Sequence, residues 1–305
     1  MLKKRNLLLL TPAIVLPERF EIVKHFDLFR KETIKYAESL SKRLCYWQTM
    51  DSVITIPALA DNLIYLYRYD RSDALAVDPG DSSAVVKILK EHGLTLKMIL
   101  ITHHHWDHTA GAAELKQKTG CTVIGGDKAR TPGIDQVVED GQILMLGDAA
   151  IQVLATPGHT RTSVCYYVQP TSNNEGGILF TGDTLFVGGC GRLLECDAQS
   201  MWESLQRLAC LPDETLVYCG HDYTLENYEF ASSIEPNNPL VRQHLDEIKK
   251  AHRQSRPTVP STMLQEKTTN PFLRAGMPEL KAALGMPQGQ AVEVFAELRA
   301  RKDVF

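Results

Sequence analysis

The amino-acid sequence predicts an α+β fold in which two β-sheets pack face to face with helices outside, followed by a smaller helical domain. Between residues 52 and 222, short apolar runs that end in Gly, Pro or Asp turns occur in two groups, and each group includes helix-forming segments. From about Tyr223 the composition becomes helical. Strand-rich halves that each carry helices are typical of sheets that bury one face against each other.

The first group of elements is expected to form one sheet with its covering helices. Its predicted strands cover residues 52–60, 63–69, 74–77, 97–101 and 122–125. Helices are predicted over 83–92 and 110–118, although Gly111 weakens the first turn of the second helix.

The second group is expected to form the other sheet, because its short strands are separated by Gly-Asp and Pro-Gly turns. The predicted strands cover residues 142–146, 150–155, 163–168, 177–180 and 215–218, with a helix over 201–209. The C-terminal helices are predicted over 225–234, 241–253, 278–284 and 290–301. Pro257 and Pro260 mark a loop between them.

Composition restricts the class of protein and its compartment. A formal net charge of −4 over 305 residues offers no basic surface for nucleic acid. The seven cysteines are scattered and form no CxxC pair. This usage indicates a reducing compartment, cytoplasmic or mitochondrial, rather than a disulfide framework.

Residues 1–50 are predicted to be an N-terminal extension. A basic triplet at residues 3–5 precedes a short apolar stretch, and no acid occurs before Glu18. The pattern is compatible with a targeting or membrane-contact segment and equally with a simple extension, and it is too short to cross a membrane as a helix. An amphipathic helix is predicted over residues 21–47.

A dense cluster of metal-binding side chains follows the predicted strand 97–101. The run is Thr102-His103-His104-His105-Trp106-Asp107-His108, and it holds four of the ten histidines. Imidazole and carboxylate are the usual ligands of zinc and similar divalent ions. The cluster lies just past the carboxyl end of a strand, where open α/β sheets place their ligands.

Three later segments repeat this arrangement, with a His or Asp in the turn that follows a short strand. These residues are His159 in Thr-Pro-Gly-His-Thr, Asp183 in Thr-Gly-Asp-Thr and His221 in Cys-Gly-His-Asp. Each segment alone is a weak signal, because a lone His or Asp in a glycine turn is more often a local hydrogen-bonding residue. Together with the cluster they supply five imidazoles and two carboxylates, enough for two metal ions, with His104 left over.

Side-chain geometry restricts how these ligands can be shared. His103 and His105 are two residues apart, so in an extended loop they can reach the same ion. Asp107 and His108 are adjacent and would have to turn towards a second ion. A carboxylate can bridge because it has two oxygens, and Asp183 is the candidate. Two ions about 3.5–4 Å apart would share a solvent molecule and lower its pKa to roughly 7.

These residues, in this order and spacing, resemble the metallo-β-lactamase superfamily, whose fold is an αββα sandwich with the metal site at one edge of both sheets. The later segments resemble glyoxalase II, the hydroxyacylglutathione hydrolases. The matching stretches are residues 180–186, 189–192, 218–224, 235–236, 260–262, 270–272, 298–299 and 302–303. The resemblance covers the chain from about residue 52 to the C-terminus.

The resemblance implies a dinuclear site and a reaction. The first metal would be bound by His103, His105 and His159, the second by Asp107, His108 and His221, and Asp183 would bridge them. Two divalent ions are implied, with zinc expected and iron or manganese as alternatives. A metal-bridging hydroxide, held with the catalytic carboxylates Asp107 and Asp183, would cleave S-D-lactoylglutathione and related 2-hydroxyacylglutathione thioesters to the hydroxy acid and glutathione, a step of methylglyoxal detoxification.

The resemblance also implies a glutathione site formed by Arg192, Tyr223, Arg299 and Lys302. Leu194 departs from the family pattern, since some members have a tyrosine there that contacts glutathione. The implied domains are a catalytic domain over residues 51–222 and a helical substrate-binding domain over 223–305. No nucleic-acid partner is expected, and the sequence does not define an oligomeric state.

Two other functions remain possible from the sequence. A persulfide dioxygenase of the same superfamily would need a single iron held by His103, His159 and Asp183. A weakly active binding protein would keep the fold and lose efficient catalysis. The other ligands and the long helical C-terminal segment favour the dinuclear hydrolase over both.

Overall fold

The computed structural model describes residues 52–131, 133–171 and 175–305. The predicted N-terminal extension, including the amphipathic helix over 21–47, lies outside these residues. Within the described ranges, no helix is both long and apolar enough to cross a lipid bilayer.

The first sheet has six strands in the order β1-β2-β3-β4-β5-β6. They are β1 (Val53–Ala58), β2 (Asn62–Arg68), β3 (Asp73–Val77), β4 (Thr95–Ile101), β5 (Thr122–Gly125) and β6 (Gln136–Val137). The first three strands pair antiparallel, and the pairing is parallel from β3 onwards. Parallel strands end at the same edge, so the loops after β3, β4 and β5 lie on one side of the sheet.

Three helices accompany this sheet: α1 (Ser82–His92), α2 (Trp106–Thr109) and α3 (Ala112–Thr119). The predicted continuous helix over 110–118 is wrong at its start. The Gly111 amide donates to the carbonyl of Pro79 at 3.0 Å, and a Cβ on Gly111 would lie 2.4 Å from that oxygen. This close approach to the turn after β3 separates α2 from α3.

The second sheet has the order β14-β13-β10-β9-β8-β7. Its strands are β7 (Ile143–Leu146), β8 (Ala149–Ala155), β9 (Val164–Val168), β10 (Ile178–Gly182), β13 (Leu216–Cys219) and β14 (Ser261–Thr262). A separate hairpin is formed by β11 (Leu185–Phe186) and β12 (Gly189–Cys190). This hairpin, β6 and β14 were not predicted from the sequence, because two-residue strands carry no periodic signal.

The remaining helices of the described residues are α4 (Ala198–Ala209), α5 (Thr224–Ile234), α6 (Pro239–Arg253), α7 (Met263–Thr269), α8 (Pro278–Ala283) and α9 (Ala291–Asp303). β14 pairs antiparallel with β13, so the C-terminal segment completes the second sheet. One apolar cluster joins buried residues of α4 and α9 to β9 and β10. The C-terminal helices therefore cover the outer face of this sheet.

The central core lies between the two sheets, as the predicted αββα sandwich requires. Leu75 and Leu100 from the first sheet share one buried cluster with Ile151 and Phe180 from the second. A second cluster packs α1 and α3 on the outer face of the first sheet. The predicted fold class is confirmed.

Two buried tyrosines connect the sheets near the strand ends. The hydroxyl of Tyr65 on β2 donates to the carbonyl of Cys219 at the end of β13, at 2.6 Å. The hydroxyl of Tyr166 on β9 donates to the carbonyl of Ile101 at the end of β4, at 2.8 Å. Each bond holds a strand of one sheet to a strand end of the other.

Replacing Tyr166 by Phe should lower the free energy of unfolding by about 1–2 kcal/mol, because the carbonyl of Ile101 loses a buried donor. Urea denaturation of the metal-saturated protein would measure this loss, with Tyr69→Phe on the partly exposed end of the first sheet as the matched control. Equal stability of the two variants would contradict the role given to the Tyr166 hydroxyl.

Candidate metal centre

The predicted ligands converge at one edge of the sandwich. His103 and His105 follow β4, and α2 then carries Asp107 and His108. The other three follow three strands of the second sheet: His159 after β8, Asp183 after β10 and His221 after β13. Three groups of side chains could hold a metal ion in the described residues. The first group is His103 with His105 and His159, the second is Asp107 with His108 and His221, and a further group joins Asp78 to one histidine of each, His103 and His108.

The second group has the geometry of a tetrahedral metal site. His108 Nε2 lies 3.2 Å from His221 Nε2, 3.3 Å from Asp107 Oδ2 and 3.4 Å from Asp183 Oδ1. His221 Nε2 lies 3.4 Å from each of the same two oxygens. Four ligands placed about 2.0–2.1 Å from a common ion at tetrahedral angles are about 3.3–3.4 Å apart.

The first group brings three imidazoles together. His105 Nδ1 lies 3.1 Å from His103 Nε2 and 3.1 Å from His159 Nε2. A single ring nitrogen can share a proton with only one of the other two. The remaining lone pairs therefore face each other, an arrangement that a bound cation would stabilise.

Asp183 connects the two groups. Its Oδ2 lies 3.4 Å from His159 Nε2 in the first group, and its Oδ1 lies 3.4 Å from both imidazoles of the second. Oδ1 is buried and accepts no hydrogen bond from the described residues. A buried carboxylate oxygen without a donor is costly, and one oxygen directed to each group fits a carboxylate that bridges two ions.

Local backbone structure explains why neighbouring residues serve different groups. His105 is still extended, with φ −60° and ψ 144°, and the chain then enters the single turn α2. The turn redirects Asp107 and His108 away from His103 and His105. Gly220 is required beside them, since a Cβ there would lie 2.6 Å from Asp183 Oδ1.

Asp78 directly follows β3 and contacts residues of the centre through its carboxylate. Its carboxylate accepts hydrogen bonds from the Thr102 amide at 2.8 Å and the Thr102 hydroxyl at 2.6 Å, and Oδ2 lies 3.0 Å from His108 Nδ1. Asp78 contacts both the start of the ligand loop and a ligand.

The electrostatics of the centre favour ionised carboxylates. Burial opposes ionisation of Asp183, but His108 and His221 outweigh it and hold the pKa of Asp183 well below its usual range. The pKa of Asp107 is likewise held low against burial by hydrogen bonds from His108 and His221. Burial, with His108 as a positive neighbour, lowers the pKa of His103, as suits a neutral ligand.

His104 belongs to neither the first nor the second ligand group. Its Nε2 lies 3.3 Å from Arg130 Nη1 and 3.5 Å from Glu195. Arg130 also pairs with Glu195 and, at 2.6 Å, with Asp127. These residues form a charged network beside the first group.

The four predicted glutathione ligands take different positions. Arg192 is exposed, and its carbonyl lies 2.8 Å from His159 Nδ1. The Tyr223 ring stacks on His221 with centroids 5.1 Å apart. Lys302 is partly buried between two aromatic rings, and its Nζ donates to the carbonyl of Glu226 at 3.3 Å.

Arg299 differs from the other three because it is buried and engaged within the protein. Its Nη1 donates to the carbonyl of Cys190 at 2.8 Å, and its guanidinium pairs with Asp303 and lies over Phe272. These contacts attach α9 to the hairpin that precedes Arg192. The charge pattern of the helix gave no sign of this burial.

The C-terminal helices hold the β11–β12 hairpin through contacts that the sequence did not predict. Four buried polar side chains each bond to a backbone group within residues 186–190, at 2.8–3.0 Å: Asn227, Glu266, Asn270 and Arg299. The hairpin carries Phe186, whose ring contacts those of His221 and Tyr223. The helices thus position the chain that leads to Arg192.

Two consecutive segments of the chain match two family models. Residues 60–221 match the metallo-β-lactamase superfamily, and residues 222–305 match the hydroxyacylglutathione hydrolase C-terminus. A hydroxyacylglutathione hydrolase from Methylococcus capsulatus is 46% identical over 259 residues, covering 84% of this chain and 99% of the relative. One from Chromohalobacter salexigens is 47% identical over 260 residues, covering 84% and 100%.

The chain belongs to the hydroxyacylglutathione hydrolase family. Among solved structures, it is similar to ETHE1 from Myxococcus xanthus, with 26% identity and a TM-score of 0.58 over 81% of this chain and 89% of the other. The metallo-β-lactamase fold and the His/Asp groups indicate that members of this family, including this chain, bind divalent metal.

Replacing Asp183 by Ala should lower the metal content more than His105→Ala does, because Asp183 directs one oxygen to each group whereas His105 belongs to one. Metals per chain, counted after purification with equal metal supply, would measure the difference. Wild-type metal content in the Asp183 variant would contradict the bridging position.

Replacing Glu266 by Gln should flatten the pH dependence of stability. Burial raises the Glu266 pKa from 4.5 to about 7, although hydrogen bonds from Gly188 and Asn270 oppose the shift. The folded state therefore retains a proton that the unfolded state has lost, and wild-type stability should fall by about 3 kcal/mol as pH rises from about 4.5 to about 7.

Urea denaturation across this pH range, with Glu214→Gln on the exposed surface as the control, would test the Glu266 prediction. Parallel stability profiles for the wild type and the Glu266 variant would contradict a raised pKa at this position.

Proposed function

We propose that this protein hydrolyses 2-hydroxyacyl thioesters of glutathione, with S-D-lactoylglutathione as the reference substrate, to give D-lactate and glutathione. The observation that carries the proposal is the pair of ligand groups that share Asp183 at the edge of the sandwich. The proposal is also supported by the sequence similarity of this chain to hydroxyacylglutathione hydrolases, which extends over nearly the whole length of those relatives.

The proposed cofactor is two divalent ions, with zinc favoured because both groups offer only imidazole and carboxylate in closely packed sets. Iron and manganese accept the same ligands. The first ion would be held by His103, His105 and His159, the second by the other group, and Asp183 would serve both. When bound, such ions lower the pKa of a coordinated water to roughly 7 and polarise a carbonyl oxygen.

The protonation states of the side chains in the centre suit the hydrolysis of an acyl thioester. Asp107 and Asp183 remain ionised, so they offset the charge of the two cations. A thiolate leaves more readily than an alkoxide or an amine, so the reaction needs no strong general acid. Burial, followed by the charges of Asp61 and Asp183, raises the pKa of Tyr223, and its hydroxyl keeps the proton needed to donate to substrate.

Glutathione would lie along the hairpin towards α9. Arg192 is exposed next to the first group, Tyr223 stacks over the second, and Lys302 lies on the helix whose Arg299 holds Cys190. Two cations suit the carboxylates of the tripeptide. The contacts of Arg299 support an indirect role, in which it fixes the hairpin rather than binding substrate.

This arrangement supports separate roles for the two predicted domains, catalysis for residues 51–222 and substrate binding for residues 223–305. The first segment supplies all seven metal-ligand candidates, and the second supplies Tyr223, Lys302 and the side chains that hold the hairpin. Leu194 is half exposed in the loop after Arg192. Any contact that its side chain makes with the acyl group or the peptide of the substrate would be apolar.

The single-iron persulfide dioxygenase is the weaker candidate. It would use His103, His159 and Asp183, and it gives no chemical reason for the four other candidate ligands, which are His105, Asp107, His108 and His221. The same four residues argue against a binding protein without catalysis.

Hydrolysis of S-D-lactoylglutathione by purified protein, with metals counted on the same sample, tests the proposal. Turnover with close to two metals per chain is expected. Absence of turnover at full metal loading would contradict it, and a single iron with oxygen-dependent sulfite release from glutathione persulfide would favour the dioxygenase.

Replacing Lys302 by Ala should raise KM for glutathione thioesters several-fold and leave kcat nearly unchanged, because the proposed contact is made equally in the ground and transition states. Steady-state kinetics would measure both constants. The exposed Lys250→Ala variant of α6 is the matched control, and an unchanged KM for the Lys302 variant would remove this residue from the substrate site.

A further inference from the structure

The turn between β1 and β2 joins the two sheets at the metal centre. The Leu63 amide donates to the carbonyl of Gly220 at 2.8 Å, and the Asp222 amide donates to the carbonyl of Asp61 at 3.1 Å. Asn62 and His221 form an isolated antiparallel bridge. The turn of the first sheet is therefore fixed against the ligand loop of the second.

The side chains of this turn contact ligands of the second group. Asp61 Oδ1 lies 2.8 Å from His221 Nδ1, while His221 Nε2 faces the other ligands. Asn62 Nδ2 donates to Asp107 Oδ2 at 2.9 Å. A proton on His221 Nδ1, held by the Asp61 carboxylate, leaves the Nε2 lone pair available for a metal.

The first group has partners of a different kind. His159 Nδ1 lies 2.8 Å from the carbonyl of Arg192, and His103 Nδ1 lies 3.1 Å from the Thr102 hydroxyl. Both partners are neutral, whereas the imidazoles of the second group are backed by the carboxylates of Asp61 and Asp78. A carboxylate partner makes an imidazole a stronger ligand.

We infer that Asp61 is a positioning residue that selectively controls metal binding by the second group. It acts through His221, and Asn62 on the same turn acts through Asp107. The inference rests on the proposed two-metal centre. Asp61 is the more informative of the two carboxylates to change, because its side chain is 43% exposed and its removal leaves no cavity, whereas Asp78 is buried.

Chelator competition on the metal-loaded full chain tests the inference. In Asp61→Ala, one of the two ions should be lost at a chelator concentration about 10–100-fold lower than in the wild type, and the other should be released as before. Asp61→Asn keeps an oxygen acceptor without the charge, so its affinity should fall between those of the wild type and the alanine variant.

Asp70→Ala is the matched control, because Asp70 is an exposed carboxylate in the turn at the other end of β2. Equal release from the Asp61 and Asp70 variants, or equal weakening of both ions, would overturn the inference and leave the two-metal centre intact. A wild-type protein that binds only one ion would instead overturn the proposed centre and the inference together. Thermal unfolding of the metal-free variants, expected to be equal, excludes a general loss of fold.

Discussion

The centre depends on one constraint, the fixed offset between two sheets. The segment that follows β4 of the first sheet carries His103, His105, Asp107 and His108, and the turns after three strands of the second sheet carry His159, Asp183 and His221. A shift of one sheet by a single residue would move ligands by more than 3 Å along the strands. The apolar core between the sheets sets their separation, and the crossing bonds of Tyr65 and Tyr166 set the offset at the strand ends that carry ligands.

Burial of charge at this edge is the energetic cost of the arrangement. Asp183 and His108 are nearly inaccessible to solvent, and an isolated buried charge is strongly destabilising. Opposite charges within 3.4 Å reduce the cost, and cations shared among the ligands would offset much of the remainder. The fixed orientation of the ligands also explains their hydrogen-bond partners. A histidine that directs one ring nitrogen towards the centre needs a partner at its other ring nitrogen, as His108, His159 and His221 have.

The sequence predicted the fold class because it depends on local signals, and the candidate ligands could be placed near strand ends for the same reason. His103, Asp183 and His221 each lie within two residues of the end of a short apolar strand, so the strand end and the candidate ligand were recognisable together. Interactions between residues that are distant in the sequence could not be predicted from it. Asp61 and His221 are 160 positions apart, and Asp61 in the sequence is an ordinary turn residue. Arg299 on a charged helix predicts exposure, and its burial depends on a hairpin whose two-residue strands leave no pattern.

The C-terminal helices hold the hairpin between Asp183 and Arg192, and we propose that they also offer Lys302 to substrate. Anomalous X-ray scattering from crystals of the metal-loaded protein would locate the bound ions. A dinuclear centre should give two metal peaks about 3.5–4 Å apart, with Asp183 between them. A single peak bound by His103, His159 and Asp183 alone would contradict it.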